Sequence, residues 1–268
     1  MNIGNKKINK KKIAIISYGN CANLGDRIGQ SIILSMIPYD CYVDFLNLPP
    51  FWSDKYNNNH YDLVIIGTGH SIYHETLNNN KFDKFLENQK KIIGVFGLQY
   101  HDLLNKKKFD NFTERFTHIF VRNKKDLIFF KNKKIISHSG DILTSYFPLT
   151  NWTIDDKVVI HPDIQKNSQD GLQLVKKIQA HKIVESSRLH PLLAGLQSCD
   201  EFVFHEQKEM GNELKSNKFN NMLYDIFNKN FEPGIQYKVD RDLVLSYRKF
   251  VFNSLSLIEE KIKKIIQS

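Results

Sequence analysis

Short apolar runs alternate with helix-like stretches through the first half of the chain. Continuous apolar runs of about four to six residues are typical of strands buried on both faces of a parallel sheet. They predict six strands, at residues 13–17, 42–46, 63–66, 91–96, 118–121 and 134–137. Apolar residues at helical spacing predict the intervening helices, at residues 27–37, 82–88, 109–116 and 126–131. This alternation predicts βαβ units and a mainly parallel sheet.

The segment 147–156 breaks the alternation and predicts a domain boundary. Beyond it, the pattern predicts three strands at residues 158–160, 182–184 and 201–204. Between them it predicts two helices, at residues 172–180 and 191–196. Apolar steps of three and four predict one or two amphipathic helices in the tail, packed back across the domains. The predicted fold is α/β, with two Rossmann-like units of which the second is small. The units cover residues 13–147 and 148–239, after a basic leader at 1–12 and before a C-terminal helical segment at 240–268.

The composition is that of a folded globular protein with an excess of positive charge. Hydrophobic residues make up 41% of the 268 residues, and the formal net charge is +9. Lysines cluster in runs at residues 6–7, 10–12, 106–108, 131–134 and 261–264. Such runs are usually solvated surface, and the alternatives are an anionic substrate or weak peripheral association with an anionic membrane. We expect no nucleic-acid partner, since no zinc-finger or RNA-recognition signature is present.

The sequence predicts a cytoplasmic protein, with the inner membrane face as the place of any peripheral association. No apolar run approaches the ~20 residues that span a bilayer. The polar segment 1–12 lacks the apolar core of a secretory signal. Cys21, Cys41 and Cys199 show neither even pairing nor metal-ligand spacing, which favours free thiols in a reducing compartment. We expect no metal and no cofactor.

Arg188 and His190 form the most informative local pattern. An apolar strand at 181–184 runs into two serines, then Arg188, His190 and a helix that opens with Pro191. Proline is favoured just inside a helix start, where an anion is also favoured, and histidine titrates near neutral pH. We interpret this turn as an anion site with an acid–base group. The alternative is a buried structural histidine beside a surface arginine.

Further candidates follow other predicted strands, on the side where parallel sheets bind ligands. Asn23 and Gly25 lie in a glycine loop that leads into a helix. Asp26 is either the N-cap of that helix or a contact to an acceptor. Gly67 and Gly69 form a second glycine turn after a buried strand.

Arg122 and Asp141 follow the fifth and sixth predicted strands. A strand-end arginine in this topology points toward the cleft between the domains, and its guanidinium suits a carboxylate or phosphate. The alternative for Arg122 is a solvated side chain. Asp141 is either a general base for a sugar hydroxyl or the cap of a hinge loop.

The order of these motifs resembles the polysaccharide pyruvyl transferase family. The matching segments are Asn23-Leu-Gly25-Asp26, Val64-Ile-Ile-Gly67-Thr-Gly69-His70, Gly94-Val-Phe-Gly97-Leu-Gln99, Phe120-Val-Arg122-Asn-Lys-Lys-Asp126, Ser139-Gly-Asp141 and Arg188-Leu-His190, followed by Lys208. Relatives tend to have glycine in place of His70, which is either a local substitution or an acceptor contact. Relatives often carry a basic residue in place of His161, which is either its substitute or a structural histidine.

The resemblance implies a two-domain fold of the glycosyltransferase B type with its active site between the units. It implies transfer of pyruvate from phosphoenolpyruvate to a sugar of a cell-surface polysaccharide, or of its lipid-linked precursor, as a ketal. In this mechanism Arg122, Arg188 and Lys208 hold the donor, and His190 is the general acid. Asp141 or Asp26 orients the sugar hydroxyls, and Gln99 is a further substrate contact.

Two other functions fit the same pattern, and the small second unit departs from the family's usual size. The first is a glycosyltransferase of the same architecture that uses a nucleotide-activated sugar, with Glu185 or Glu206 contacting the ribose. The second is a non-catalytic sugar-binding protein of the same fold.

Overall fold

The first unit is built on a six-stranded parallel sheet. The structure, a computed structural model, describes residues 10–19, 24–98, 105–160, 171–206 and 218–268. The strands of this sheet are β1 (Lys12–Ser17), β2 (Tyr42–Asn47), β3 (Leu63–Ile72), β4 (Ile92–Leu98), β5 (His118–Val121) and β6 (Ile136–His138). They lie in the order β2-β1-β3-β4-β5-β6, and every neighbouring pair is parallel.

The second unit has a smaller sheet of four strands. They are β7 (Ile154–Ile160), β8 (His181–Ser186), β9 (Glu201–Phe204) and β10 (Tyr237–Lys238), in the order β10-β9-β8-β7. Strands β7, β8 and β9 are parallel, and β10 is an antiparallel edge strand. These two sheets confirm the predicted α/β class with two Rossmann-like units, mainly parallel strands and a small second unit.

Helices cover both faces of the first sheet. In chain order the α-helices are α1 (Leu24–Ser35), α2 (His74–Leu77), α3 (Asn80–Glu87), α4 (Lys106–Thr113), α5 (Gly171–Gln179), α6 (Leu189–Gly195), α7 (Lys218–Phe227) and α8 (Arg241–Gln267). Alternate residues of the strands face opposite ways, as the pleat requires. One face packs on phenylalanines of α3 and α4. The other face shares a continuous core with α1, the second unit and α8.

Helix α8 joins the two units, since Arg241 at its start donates to the carbonyl oxygen of Ser198 (2.8 Å) in the second unit. Its buried stripe consists of Val244, Tyr247, Val251, Ser254, Ile258, Ile262 and Ile266, each three or four residues from the next. Arg248 donates hydrogen bonds to the carbonyl oxygens of Thr144 (2.6 Å) and Phe147 (2.5 Å). At the other end, Lys91 Nζ donates to the carbonyl oxygen of Ile265 (3.3 Å). The tail therefore packs back across the molecule, as the apolar spacing predicts.

No helix in the part of the chain that the structure describes is both long and apolar enough to cross a membrane. Several lysines of the basic runs have nearby carboxylates. Lys106 and Lys131 both pair with Asp110, and Lys263 pairs with Glu259 one helical turn away. These pairs favour the solvated-surface interpretation of three of the lysine runs.

The predicted end of one strand and the predicted starts of two helices were wrong. Strand β3 does not end at residue 66, because the chain resumes pairing with β4 after an irregular turn. Helix α1 begins at Leu24, so Asp26 is its third residue and not its N-cap. Helix α6 begins at Leu189, so His190 lies inside its first turn. Pro191 is tolerated there, because the first four N–H groups of a helix have no intrahelical partner.

Helix α7 and strand β10 were not predicted. The apolar residues Phe219, Met222, Leu223, Ile226 and Phe227 of α7 follow helical spacing and are buried, so this signal was present in the sequence. Strand β10 has only two residues, too few to show any periodicity.

Candidate functional site

The candidate site lies where the strand order of the first sheet reverses. Strand β1 lies between β2 and β3, so the chain winds in opposite directions from this point. In open parallel sheets, ligands bind in the crevice beyond the carboxyl ends of the strands at such a switch point. The first turn of α1 and the second half of β3 both lie there. The strand order by itself therefore places Gly25, Asp26, Gly67 and Gly69 at the expected ligand-binding crevice.

Strand β3 carries an irregular turn at this point. Gly67, His70 and Ile72 pair with Val95, Gly97 and Leu98, so six residues of β3 face four of β4. The extra two residues are accommodated by positive φ angles of 131° at Gly67 and 101° at Thr68. A Cβ on Gly67 would lie 2.1 Å from the carbonyl oxygen of Val95, so only glycine fits there.

Three glycines let α1 approach both the β3 turn and the second unit. A Cβ on Gly29 would lie 2.6 Å from Cβ of Thr68, and one on Gly69 would lie 2.6 Å from Oδ1 of Asp26. A Cβ on Gly25 would lie 1.8 Å from Nδ1 of His190. The start of α1 therefore touches the His190 ring, which belongs to the other unit.

Asp141 lies between an arginine and His190. Its Oδ2 lies 2.9 Å from Nη2 of Arg122 and 3.9 Å from Nε2 of His190. Arg122 is 5% exposed and Asp141 is 2% exposed, so the Arg122–Asp141 ion pair is buried. Arg122 Nη2 and Asp141 Oδ2 are close enough to form an ion pair, but they are not aligned as a hydrogen bond, and neither atom has a hydrogen-bond partner among the described residues.

Asp141 is held through both its side chain and its backbone. Its Oδ1 accepts a hydrogen bond from the N–H of Leu143 (3.1 Å), which caps the 3₁₀ turn Ile142–Ser145. Its own N–H donates to the hydroxyl oxygen of Tyr247 in α8 (2.7 Å). The turn contacts α1, α6 and α8. The cap and a place in the site are therefore compatible roles for Asp141.

Several buried polar atoms around this point have no hydrogen-bond partner among the described residues. They are Thr68 Oγ1, Ser71 Oγ, Arg122 Nε, Asp141 Oδ2, Arg188 Nε and His190 Nε2. Buried polar atoms without a partner are uncommon in folded proteins, and each needs a physical explanation. Their concentration near one switch point is what a polar ligand site requires.

Burial lowers the pKa of His190 to about 4. The nearby Asp141 carboxylate opposes this shift, while Arg122, Lys218 and Arg188 add to it. The imidazole is therefore neutral at pH 7 in the protein alone. The pKa near neutrality that the sequence predicts is therefore wrong for the free protein, because desolvation lowers it.

The protein is expected to lose stability as the pH falls from about 6.5 to about 4. The pKa of His190 is lower in the folded state, so in this window the unfolded chain binds more protons and acid favours unfolding. The pKa difference of about 2.5 corresponds to about 3 kcal/mol, all of it present above the unfolded pKa. Denaturant unfolding between pH 4 and pH 7 measures the effect.

The variant His190→Gln should flatten that pH dependence, because it has no imidazole to protonate. His118→Gln is the matched control: burial also lowers the pKa of His118, but less strongly, so most of the slope should remain. If His190→Gln keeps the wild-type slope, the folded protein does not hold a neutral His190.

Arg188 is the residue that precedes α6. The hydroxyl of Ser186 donates to its carbonyl oxygen and accepts from its N–H, both at 2.9 Å. This local pairing fixes the turn between β8 and α6. Arg122, by contrast, does not face an open cleft as predicted, because its guanidinium is buried against Asp141.

For the remaining predicted site residues, the structure describes only the backbone of His70. His70 lies in β3, where its backbone pairs with Gly97, but its side chain lies outside the described part of the structure. Asn23, Gln99, His161 and Lys208 also lie outside the described residues.

Both carboxylate oxygens of Glu185, a predicted ribose contact, have partners in the protein. It accepts from Lys157 Nζ and pairs with His205 Nε2, both at 2.9 Å. These partners lower the pKa of the Glu185 carboxyl. Within the described ranges, no group of three or more His, Cys, Asp or Glu side chains lies close enough together to hold a metal ion.

Three residues of the site were missed by sequence reasoning. Thr68 lies between Gly67 and Gly69, which were both predicted as site residues, so its position in the sequence could have indicated it. Ser71 follows the same turn. Tyr247 reaches Asp141 across 106 residues, and no local pattern indicates such a contact.

Comparisons with known proteins identify no family. No protein-family model matches the chain, and no curated protein matches it. A crystal structure of an uncharacterized protein from Klebsiella pneumoniae subsp. pneumoniae NTUH-K2044 is similar, with a TM-score of 0.48 and 15% sequence identity over 82% of this chain and 89% of that chain. The fold description therefore stands on the strand order of the two sheets.

Proposed function

We propose that the protein is a transferase that adds pyruvate from phosphoenolpyruvate to a sugar of a cell-surface polysaccharide or of its lipid-linked precursor. The observation that carries the proposal is the convergence of Arg122, Asp141, Arg188 and His190. Arg122 and Asp141 form an ion pair, the His190 ring lies 3.9 Å from Asp141 Oδ2, and each of the four side chains has a buried atom without a hydrogen-bond partner among the described residues. Such a group can hold an anionic donor and move a proton beside it.

Arg188 and Lys208 are the donor ligands in this mechanism. Phosphoenolpyruvate carries a phosphate and a carboxylate, and a guanidinium binds either group through two parallel hydrogen bonds. Arg122 neutralises Asp141, so its main role is to hold that carboxylate in place. Asp141 in turn faces the imidazole and stabilises its protonated form.

His190 is the general acid in the complex with donor. The donor's negative charge next to the ring raises its pKa from about 4. The imidazolium then protonates the methylene carbon, and one sugar oxygen bonds to the adjacent carbon. The proton of that hydroxyl returns to His190. A second sugar oxygen displaces phosphate, which leaves with the proton of the second hydroxyl.

A cytoplasmic location belongs to the same proposal. Cys41 and Cys199 are free thiols, which fits a reducing compartment. Lipid-linked glycan precursors are exposed at the inner membrane face, so the acceptor would be met there. Weak attraction of the basic leader to anionic lipid would favour that encounter.

A thermal-shift panel tests the donor. Phosphoenolpyruvate at about 100 times its Kd should stabilise the protein by about 2.7 kcal/mol. Uridine diphosphate sugars at the same concentration should give no shift. The variant Arg188→Lys should reduce the shift, because lysine cannot form the paired hydrogen bonds.

Arg115→Lys is the matched control, since Arg115 pairs with Asp83 and Glu87 on the surface. Stabilisation by nucleotide sugars and none by phosphoenolpyruvate would instead support glycosyl transfer. A panel with no shift from either donor would overturn the transferase proposal and leave a sugar-binding protein.

A further inference from the structure

Thr68 combines backbone strain with an unused hydroxyl. Its φ of 101° is rare for a β-branched residue. The side chain is 4% exposed, and its Oγ1 has no hydrogen-bond partner among the described residues. Strain of this kind persists where the surrounding structure enforces it, and it concentrates at ligand sites. No hydrogen bond within the described residues accounts for the hydroxyl at this position.

Ser71 shows the same unused hydroxyl three residues further along β3. It is 1% exposed, and its Oγ has no partner within the described part of the chain. A Cβ on Gly69 would lie 3.8 Å from that Oγ and 2.6 Å from Oδ1 of Asp26. The Ser71 hydroxyl and the Asp26 carboxylate therefore both lie beside Gly69, where the missing side chain lets α1 approach β3.

The chemistry of these groups selects the ligand class. The negative charge of Asp26 disfavours a phosphate or carboxylate at this point. One carboxylate and two hydroxyls are too few ligands for a dedicated divalent cation site. A carboxylate oxygen and two hydroxyl groups do match neighbouring hydroxyls of a sugar. A sugar hydroxyl can donate a hydrogen bond to the carboxylate, and it can both donate to and accept from the protein hydroxyls.

We propose that Asp26, Thr68 and Ser71 form a subsite for paired hydroxyls of a sugar. It lies at the β1–β3 switch point, where ligands bind in such sheets. Gly25, next to Asp26, touches the His190 ring, so a bound diol lies beside the acid–base group. The sugar's role as acceptor rests on the proposed function, whereas its binding does not.

The test is a titration with the methyl β-D-pyranosides of galactose, glucose and mannose, followed by saturation-transfer NMR. At least one should bind the wild-type protein, and its fully O-methylated derivative should not. Thr68→Val should weaken binding at least tenfold and leave Tm unchanged or raised, because the lost hydroxyl has no protein partner in the described residues. Asp26→Asn should weaken binding as well.

Thr113→Val is the matched control. Thr113 is also buried, but its hydroxyl donates to the carbonyl oxygen of Asp110 (3.1 Å) in α4, so this variant should lower Tm and bind the sugar normally. Wild-type affinity in Thr68→Val, or no binding of any of the three glycosides, overturns the subsite. Glycoside binding without any response to phosphoenolpyruvate would retain the subsite and overturn pyruvyl transfer.

Discussion

Arg122→Met is expected to lower the free energy of unfolding by about 3–5 kcal/mol. The substitution keeps most of the side-chain volume but removes the cation that lies 2.9 Å from the Asp141 carboxylate. Asp141 is 2% exposed, so water cannot replace the lost partner. An isolated buried charge is far more costly than the pair itself. Urea unfolding at pH 7 measures the loss.

The double variant Arg122→Met/Asp141→Asn should recover most of that stability. Asparagine carries no charge, yet its side-chain oxygen can still accept from the N–H of Leu143, as Asp141 Oδ1 does. Asp141→Asn alone should also destabilise, because it leaves the guanidinium of Arg122 unpaired. If the single variants lose less than about 1 kcal/mol, the pair behaves like an exposed salt bridge and the site is more hydrated than its geometry indicates.

His190→Gln is expected to reduce turnover at least 100-fold, which is the lower range for loss of a positioned acid or base. Glutamine occupies a similar volume beside Gly25 but cannot transfer a proton. Phosphate release from phosphoenolpyruvate in the presence of an acceptor sugar gives the rate. Binding of phosphoenolpyruvate should persist, because Arg188 remains.

His118→Gln is the control for that measurement as well. His118 lies in β5 and contacts Ser137 at 3.1 Å, on the opposite end of its strand from the site. Its substitution should leave turnover unchanged. A His190→Gln protein that is folded, binds donor and turns over normally would exclude His190 from the chemistry.

The sequence was most informative where burial follows directly from local pattern. Strands β5 and β9 have their predicted bounds, because each contains three consecutive apolar residues that are buried. The path of β3 through Gly67 and Thr68 was not predictable, since two consecutive positive φ angles leave no periodic signal. The burial of Arg122 depends on Asp141, which the fold brings to it from another strand end.

Some residues of the candidate site were predictable from local sequence, and others depend on contacts between distant parts of the chain. Arg188 and His190 stood out because a strand, a polar turn and a helix start are adjacent in sequence. The lowered pKa of His190 was hidden, because it results from packing against α1. Tyr247 was hidden for the same reason: its contact with Asp141 depends on α8 crossing between the units.

The support that α8 gives to Asp141 has a consequence for synthesis on the ribosome. Tyr247 follows Asp141 by 106 residues, and translation at about 5–20 residues per second takes about 5–20 s to cover that interval. The strands of the first sheet all precede Asp141, so they emerge long before the tyrosine that holds its backbone. During that interval all residues of the first sheet have been synthesised, while the turn that carries the carboxylate still lacks its anchor. The turn that carries the Asp141 carboxylate is therefore anchored only after α8 has been synthesised and has docked.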